Sequence, residues 1–540
     1  MKLKNIALFP ILAAGICGCS NDINENKIPD GTGADEGYVS IGVALPVTAA
    51  TKADNTLTYE EGEPQEYAVT NGKLLLFNKA DGKLVCTAEL TGMTWSATPG
   101  EEITTSAKAH ARLTGIDMRN KDAQYQVAAV LNYTPDFKFP QPGETYSAWS
   151  VAAQNSPMIL SEGGKQWLTM SSAPCASVNG SAPVTLVDLD KSRIAATENE
   201  LSGTPAAQVT VQRAVAKVTV ENSGEITPAG QDYSSDKVEI IAWGLDITNR
   251  TSFPMQVTDG LASGYSEIWN KARFMGPENS KFRRIYWGID PNYDCNITTL
   301  ADVNTHFNTI SNESLTSMPK VAYCLENTFD INHQMQGHTT RVVFKAQYTP
   351  AGFSKGDSFM RIGISSHFYT VASLTEEITR CAKSVVNSEN VVVEMPGVAN
   401  RAGSYSLSQL SIKKNGNYIS ADEQNRIARA IGLKAAADKG IHSYPGGICY
   451  YAARIKHFGD TETPWALGES TYDGDNSRWL GRYGMVRNNH YEIYINSISR
   501  PGEPNMPVID PLIPDDENNT YVELAISVLS WAKRVNYSDL

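Results

Sequence analysis

The sequence has few cysteines, and they lack the spacing that structural zinc sites require. It holds 8 cysteines in 540 residues, and no two of them form a C-x-x-C pair. Structural zinc sites are built from such close pairs, so no site of this kind is predicted. Six cysteines follow Cys19 at wide spacings that suit isolated core thiols as well as disulfides: Cys86, Cys175, Cys295, Cys324, Cys381 and Cys449.

Basic residues are scarce relative to acidic ones. Lys and Arg number 46 against 59 Asp and Glu, which gives a net charge of −13. Nucleic-acid binding needs clustered positive charge that neutralises phosphates, so no nucleic-acid partner is expected. No run of about eighteen apolar residues follows the N-terminus, so no membrane-spanning helix is expected.

Motifs of catalysis are also missing. The sequence contains no Gly-x-Ser-x-Gly elbow, no His-Glu-x-x-His motif and no Walker loop. His333 and His338 are five residues apart and are expected on opposite faces of their segment, which predicts no metal pair. The acidic stretches 473–476 and 515–517 lack the EF-hand spacing and are expected to be solvated loops. We therefore predict no catalytic residue, no cofactor, no metal site and no enzyme activity.

The N-terminus has the pattern of a secretory signal. Two lysines precede the apolar run 6–16, which continues as Ile-Cys-Gly-Cys at positions 16–19. This ending resembles a bacterial lipobox, in which a small residue precedes the acylated cysteine, so Gly18 points to Cys19 as the lipidated residue. The acyl chains would hold the exported precursor on a membrane face. Residues 1–18 are predicted to be the signal peptide.

A strand pattern and a basic loop follow this signal. Residues 20–37 are polar and contain glycine, as in a tether. Apolar side chains then alternate with small or polar ones over one predicted strand: Val39, Ile41, Val43, Leu45 and Val47. Residues 48–55 combine small and polar residues with a single basic one, Lys52, which is typical of an exposed loop that a protease can reach.

The order of lipobox, tether, strand and Thr51-Lys52-Ala53 resembles the precursor end of the fimbrillins, which are lipoprotein-derived type V pilins, and particularly their Mfa-type (minor fimbrium) branch. In that family a trypsin-like protease cuts after a basic residue and removes the first strand. The resemblance implies cleavage between Lys52 and Ala53, with residues 19–52 as the propeptide. Most members have Arg at this position, so Lys52 departs from the family pattern and the identity of the protease stays open.

The rest of the chain has mostly period-two apolar patterns separated by turns rich in Gly and Pro, which favours a β-dominated fold. A hairpin turn is predicted at 78–82, and a helix is predicted to follow the capping box that Ser420 and Glu423 form and to close at Gly440. The most regular strand pattern is 208–220. The polar stretch 221–236 then predicts a boundary between domains 53–225 and 226–540.

Three segments in the second half extend the resemblance in family order: 285–293 with Trp-Gly-Ile-Asp-Pro-Asn-Tyr, 323–329 with Glu-Asn-Thr, and 339–348 with Thr-Thr-Arg-Val. Residues 450–458 and 481–498 resemble the closing strands of Mfa-type pilins. The resemblance implies a mainly β protein made of two tandem transthyretin-like β-sandwich domains with a few short helices.

The C-terminus ends in strand patterns with no closing turn. Apolar residues alternate over 522–528, and the parity then changes. The apolar residues from this point form a candidate donor strand for a neighbouring subunit: Leu529, Trp531, Val535, Tyr537 and Leu540. The plain alternative is a terminal strand that pairs within its own sheet.

These features predict a structural subunit of a surface fimbrium (pilus). The chain would be exported as an outer-membrane lipoprotein precursor, cut after Lys52 and polymerised by donor-strand exchange. The expected partners are copies of itself, other fimbrial subunits and, through the lipid of the precursor, the outer membrane. A host protein or glycan receptor and the position in the shaft, tip or base stay open. The alternatives are a monomeric or tip-located surface adhesin or glycan-binding lipoprotein and a secreted hydrolase of unrecognised type.

Overall fold

The computed structural model is rich in β-strands, with 38% strand and 16% helix, and confirms the mainly β prediction. Among the described residues, no helix combines the length and apolar character needed to cross a membrane. The model describes residues 35–46, 63–97, 103–176, 183–201, 203–221, 224–269, 273–275, 283–460, 462–466, 469, 476–516 and 522–530.

The first half of the chain contains twelve strands and two short helices in its described part. The strands are β1 (Asp35–Pro46), β2 (Gly72–Asn78), β3 (Leu84–Glu89), β4 (Thr91–Ala97), β5 (Ile103–Ile116), β6 (Tyr125–Leu131), β7 (Ile159–Glu162), β8 (Lys165–Leu168), β9 (Met170–Ser172), β10 (Cys175–Ala176), β11 (Val187–Asp188) and β12 (Ala207–Arg213). The helices are α1 (Pro64–Tyr67) and α2 (Tyr146–Ser150).

The second half begins one residue later, after Ala214. Its strands are β13 (Val215–Glu221), β14 (Glu225–Ile226), β15 (Lys237–Asp246), β16 (Thr248–Asn249), β17 (Arg283–Arg284), β18 (Phe307–Asn308), β19 (Ala322–Leu325), β20 (Arg341–Thr349), β21 (Phe359–Ile362), β22 (Phe368–Tyr369), β23 (Val391–Glu394), β24 (Gly403–Tyr405), β25 (Ser411–Lys414), β26 (Asn417–Tyr418), β27 (Ile441–Tyr444), β28 (Ile448–Arg454), β29 (Asn489–Ile498) and β30 (Val522–Ser530). Its helices are α3 (Leu261–Gly264), α4 (Ser266–Trp269), α5 (Leu300–His306), α6 (Val371–Val386) and α7 (Ala421–Ala430).

A nine-stranded sheet organises the first half. Its strand order is β3-β2-β6-β9-β12-β1-β5-β4, and β11 pairs with β6. Side chains from both ends of this order, including those of β2, β6, β1 and β5, meet in one buried cluster. The sheet therefore curls around its own core, as the two layers of a sandwich do.

Two four-stranded sheets face each other in the second half. Their orders are β19-β13-β29-β30 and β14-β15-β20-β28, and apolar side chains from both sheets share one core. This arrangement confirms the β-sandwich prediction. Strand β12 belongs to the nine-stranded sheet, and β13 belongs to the sheet β19-β13-β29-β30. The chain therefore passes from one sheet to the other at Ala214, whereas the sequence predicts a domain boundary at 225/226. The apolar run 208–220 gives no sign of this change because both strands are buried.

The stretch of chain between β20 and β28 contains the two helices α6 and α7. Helix α7 has the predicted Ser420–Glu423 capping box but ends at Ala430, well before Gly440. Helix α6, the longest helix in the described part of the chain, was not predicted from the sequence. The sequence signals for this helix are the capping residue Thr370 and apolar residues at helical spacing. These residues are buried in the structure: Leu374, Ile378, Cys381, Ala382 and Val386. The predicted turn at 78–82 is confirmed, with Gly82 at φ +69°.

Candidate functional site

Strand β1 lies inside the first sheet rather than at its edge. It pairs antiparallel with β5 along most of its length and parallel with β12 from Ile41 to Ala44. A strand that enters from the N-terminus and fills a gap between two other strands has backbone hydrogen bonds on both sides. The segment that the resemblance marks for removal is therefore fully integrated into the fold.

The apolar face of β1 is part of the core of the first half. Val39, Ile41 and Val43 are 0% exposed and Leu45 is 2% exposed. All four side chains belong to the buried cluster that contains Leu74 of β2 and residues of β6 and β12. Burial of one such side chain stabilises a fold by about 1.5–3 kcal/mol, so the four together contribute on the order of 6–12 kcal/mol.

Removal of β1 would leave a slot between β5 and β12. Neighbouring strands are about 4.7–4.9 Å apart, so the gap would be about 10 Å wide and lined on both sides by unpaired backbone groups. Its floor would be the apolar side chains that now pack against β1. We call this space the β1 slot. It would accept an extended segment with apolar residues at alternating positions, which is the geometry of β-strand addition.

The C-terminal strand β30 is docked in the chain's own second half. It pairs antiparallel with β29 from Val522 to Ser530, and Leu524 packs against the core there. The predicted donor residue Leu529 is opposite His490 within this ladder. The ladder slips between Ile495 and Ser497, so the irregularity lies on β29 and β30 is one continuous strand.

Several predicted site residues lie outside the described residues. They are the lipidation site Cys19, the cleavage residues Lys52 and Ala53, and the donor residues Trp531, Val535, Tyr537 and Leu540. The structure therefore places the strand that would be removed and the strand from which the donor segment continues.

A polar cluster joins β12 to the start of β29. The side-chain oxygen of Asn488 accepts hydrogen bonds from the backbone N–H of Arg213 at 3.3 Å and from its guanidinium at 3.2 Å. The next residue, Asn489, is opposite Ser530, the last residue of β30. The end of β12, the beginning of β29 and the end of β30 therefore meet at the junction of the two halves.

The same junction holds the first described segment after Lys52, the predicted cleavage residue. Glu66 of α1 is buried and accepts hydrogen bonds from the Tyr323 hydroxyl at 2.5 Å and from Lys217. Its backbone carbonyl accepts from the Arg213 guanidinium at 2.7 Å. This role of Glu66 was not foreseen. The available signal is that Arg213 and Lys217 share one face of an otherwise apolar run, which indicates buried charges that need partners.

The three family-like segments of the second half meet in one buried polar network. Asp290 accepts the backbone N–H of Thr328 at 2.5 Å, and Asn327 donates to the Thr340 hydroxyl at 2.9 Å. Arg487 and Glu326 form an ion pair at 2.8 Å with both side chains 0% exposed. The segments are therefore spaced along the chain but adjacent in space.

Burial raises the pKa of Asp290 to about 7, although the N–H groups of Thr328 and Asn292 oppose the shift. Asp515 is also buried, which raises its pKa in the same direction despite its ion pair with Arg454 at 2.8 Å. The expectation that residues 515–517 form a solvated loop is therefore wrong for Asp515.

The histidine expectation is also corrected. The ring centroids of His333 and His338 are 5.1 Å apart, so the two side chains do not lie on opposite faces of their segment. They come together because Asp330 caps a short turn over 331–333 and the chain folds back. Among the described residues, no group of three His, Cys, Asp or Glu side chains is arranged to hold a metal ion. All six cysteines after Cys19 are free thiols.

The C-terminal region matches a known family. Residues 442–537 match the model described as major fimbrial subunit protein type IV, fimbrillin, C-terminal. This region of the chain is therefore similar to the C-terminal part of the fimbrillins. The match includes β28, β29 and β30 and continues into the predicted donor segment. The match supports a fimbrial or adhesion subunit at the cell surface.

Solved structures and curated proteins add little to the fimbrillin match. A crystal structure of a candidate cell adhesion protein from Parabacteroides distasonis is 15% identical, with a TM-score of 0.38, and the likeness covers 93% of this chain and 99% of that one. A second one from the same organism is 14% identical, with a TM-score of 0.36, and covers 91% and 99%. Both scores are below 0.5, so neither likeness supports a conclusion about fold or function. No curated protein matches the chain.

Proposed function

We propose that this chain is the precursor of a fimbrial subunit that polymerises by donor-strand exchange. It is exported as a lipoprotein acylated on Cys19, and cleavage after Lys52 releases β1. The C-terminal segment of a neighbouring subunit then fills the β1 slot. The protein acts as a structural subunit, with no catalytic role.

The position of β1 carries this proposal. A strand that contributes four buried apolar side chains to a core leaves a large apolar surface exposed when it is lost. Such a surface, with unpaired backbone on both sides, is not stable in water and takes up a replacement strand. The chain offers one in its own C-terminal residues, where Trp531, Val535 and Tyr537 have the same parity and would share one face of an extended strand.

Head-to-tail exchange of this kind yields a filament. The slot is in the first half of the chain and the donor segment follows the second half, so donor and acceptor are different surfaces. Contacts between different surfaces add one subunit after another, and they give an open filament unless the rotation between neighbouring subunits closes a ring. A row of ladder hydrogen bonds, each worth about 0.5–1.5 kcal/mol, adds to the apolar burial and makes a long-lived, non-covalent joint.

N-terminal sequencing and mass spectrometry of assembled surface fibres test the proposal. We expect fibre subunits that begin at Ala53 and contain no peptide from 35–46. Intact peptides that span Thr51 to Ala53 in washed fibres would contradict it. Subunits that start at Cys19 with acyl chains should appear only in the unassembled membrane fraction.

A further inference from the structure

We infer that a cleaved but unassembled subunit fills its β1 slot with its own C-terminal tail, residues 531–540. This inference rests on the proposed removal of β1. It concerns the state before assembly, in which no neighbour is available to donate a strand.

The point at which the tail leaves the body supports this assignment. Ser530 ends β30 opposite Asn489, and the preceding residue Asn488 is hydrogen-bonded to Arg213 at the end of β12. Strand β12 runs parallel to β1, with Thr210 beside Ala44. The tail therefore starts next to the end of the slot at which β1 itself terminates.

The tail also starts on the side of β12 that faces the β1 slot. The backbone N–H of Ala214 donates to the carbonyl of Thr169, toward β9. Successive residues of a strand direct their backbone groups to opposite sides. The N–H of Arg213, which is bonded to Asn488, therefore points away from β9. Along the first half of β12 this opposite side is the one that β1 occupies.

The tail is long enough to reach into the slot. The four buried apolar residues of β1 lie between 39 and 45, a stretch of about 23 Å at about 3.3 Å per residue. The ten residues 531–540 span about 33 Å when extended, so the first few can cross the junction and the rest can line the slot. The tail would run opposite to β1, antiparallel to β12 and parallel to β5, and either direction permits a complete ladder.

Tethering favours the chain's own tail in dilute solution. A segment joined by a short linker has an effective concentration on the order of millimolar, far above that of free subunits. The same tail and slot meet in the capped monomer and in the filament, as in domain swapping, so a high local concentration of subunits moves the equilibrium to the filament. Capping also covers a surface that would otherwise aggregate.

Hydrogen exchange on full-length protein tests the inference. A soluble form with a specific protease site in place of residues 50–54 is cut, freed of the 35–46 peptide and kept as a dilute monomer. We expect the amides of 531–540 to be protected, and the amides of β5 to exchange about tenfold faster or more when 531–540 are deleted. Unprotected tail amides, or equal exchange of β5 with and without the tail, would overturn the inference.

Two further measurements separate this inference from the proposed function. Val535→Asp should open the slot in the monomer, whereas its neighbour of opposite parity, Asn536→Asp, should not. A synthetic peptide of residues 529–540 is then added to the tail-deleted, cut protein. Binding of the peptide combined with an unprotected tail in the intact monomer would overturn the capping alone. Failure of the peptide to bind would overturn both the capping and donor-strand exchange.

Discussion

Lys217 and Glu66 form an ion pair inside the protein, with 3.0 Å between the ammonium nitrogen and a carboxylate oxygen and only 5% and 1% of the side chains exposed. The pair joins α1, which follows the proposed cleavage site in sequence, to β13, the first strand of the second half. If cleavage occurs after Lys52, the pair holds a segment near the new N-terminus at the junction where β30 also ends.

We predict that Lys217→Met destabilises the protein by about 3–5 kcal/mol, because it leaves the Glu66 carboxylate buried without its cation. Urea unfolding of the cut and uncut protein measures this loss. The matched control is Lys237→Met, whose partner Glu225 is 2.9 Å away but whose side chains are 59% and 60% exposed, and its cost should be about 0–1 kcal/mol. Equal effects of the two substitutions would contradict the buried role of Lys217.

The stability of the fold should depend on the ionisation of Asp290. Its pKa is about 7 in the folded chain and about 3.9 in an unfolded one, so the folded state binds the proton more tightly. This contribution to the free energy of unfolding is fully present below about pH 4 and is lost as the pH rises through about 7. Asp290→Asn should flatten the pH dependence of the free energy of unfolding between about pH 5 and 7.

A control for this pH effect is Asp302→Asn. Hydrogen bonds from the backbone of Thr298 and from Thr299 lower the pKa of the Asp302 carboxyl, so its contribution has the opposite sign. That contribution is present above the unfolded pKa and is lost as the pH falls through the folded one. The profile between about pH 5 and 7 should therefore stay unchanged in this variant. An unchanged profile in Asp290→Asn would refute the assignment to Asp290.

The effect of a substitution in β1 should depend on maturation. Ile41→Ala removes buried methyl groups from the core and should lower the free energy of unfolding of the precursor by about 2–5 kcal/mol. Fibres assembled from the same variant should dissociate in denaturant at the wild-type midpoint, since β1 is no longer part of them. Val151→Ala, at a 45% exposed position, controls for general effects and should change stability by less than about 0.5 kcal/mol. A weakened fibre would show that β1 persists after assembly.

Deletion of residues 531–540 should leave a folded, exported protein that cannot donate a strand. The deletion starts after Ser530 because Leu529 and Ser530 belong to strand β30, which is paired with β29. In the full-length chain, Val535→Asp should weaken the joint between subunits by placing a charge in an apolar slot, while Asn536→Asp should have little effect. Denaturant-resistant ladders of subunits in the deletion variant would favour the alternative in which the terminal strand only completes its own sheet.

The sequence alone determined the local features of this protein. Alternation of apolar residues placed β1 over 39–45 and β30 over 522–528, Gly82 marked its turn, and the Ser420–Glu423 capping box marked the start of α7. These features depend on residues that are neighbours along the chain, so periodicity and capping rules are enough to find them.

Only the tertiary structure decided which of these elements meet. Alternation showed that β1 is a strand, but not that it lies between β5 and β12, because strand neighbours are chosen by contacts between residues far apart in sequence. The position of Lys217 in an apolar run indicates a buried charge, but only the folded chain shows that Glu66 is its partner. The start of the tail beside Arg213 likewise depends on Asn488, 275 residues further along the chain.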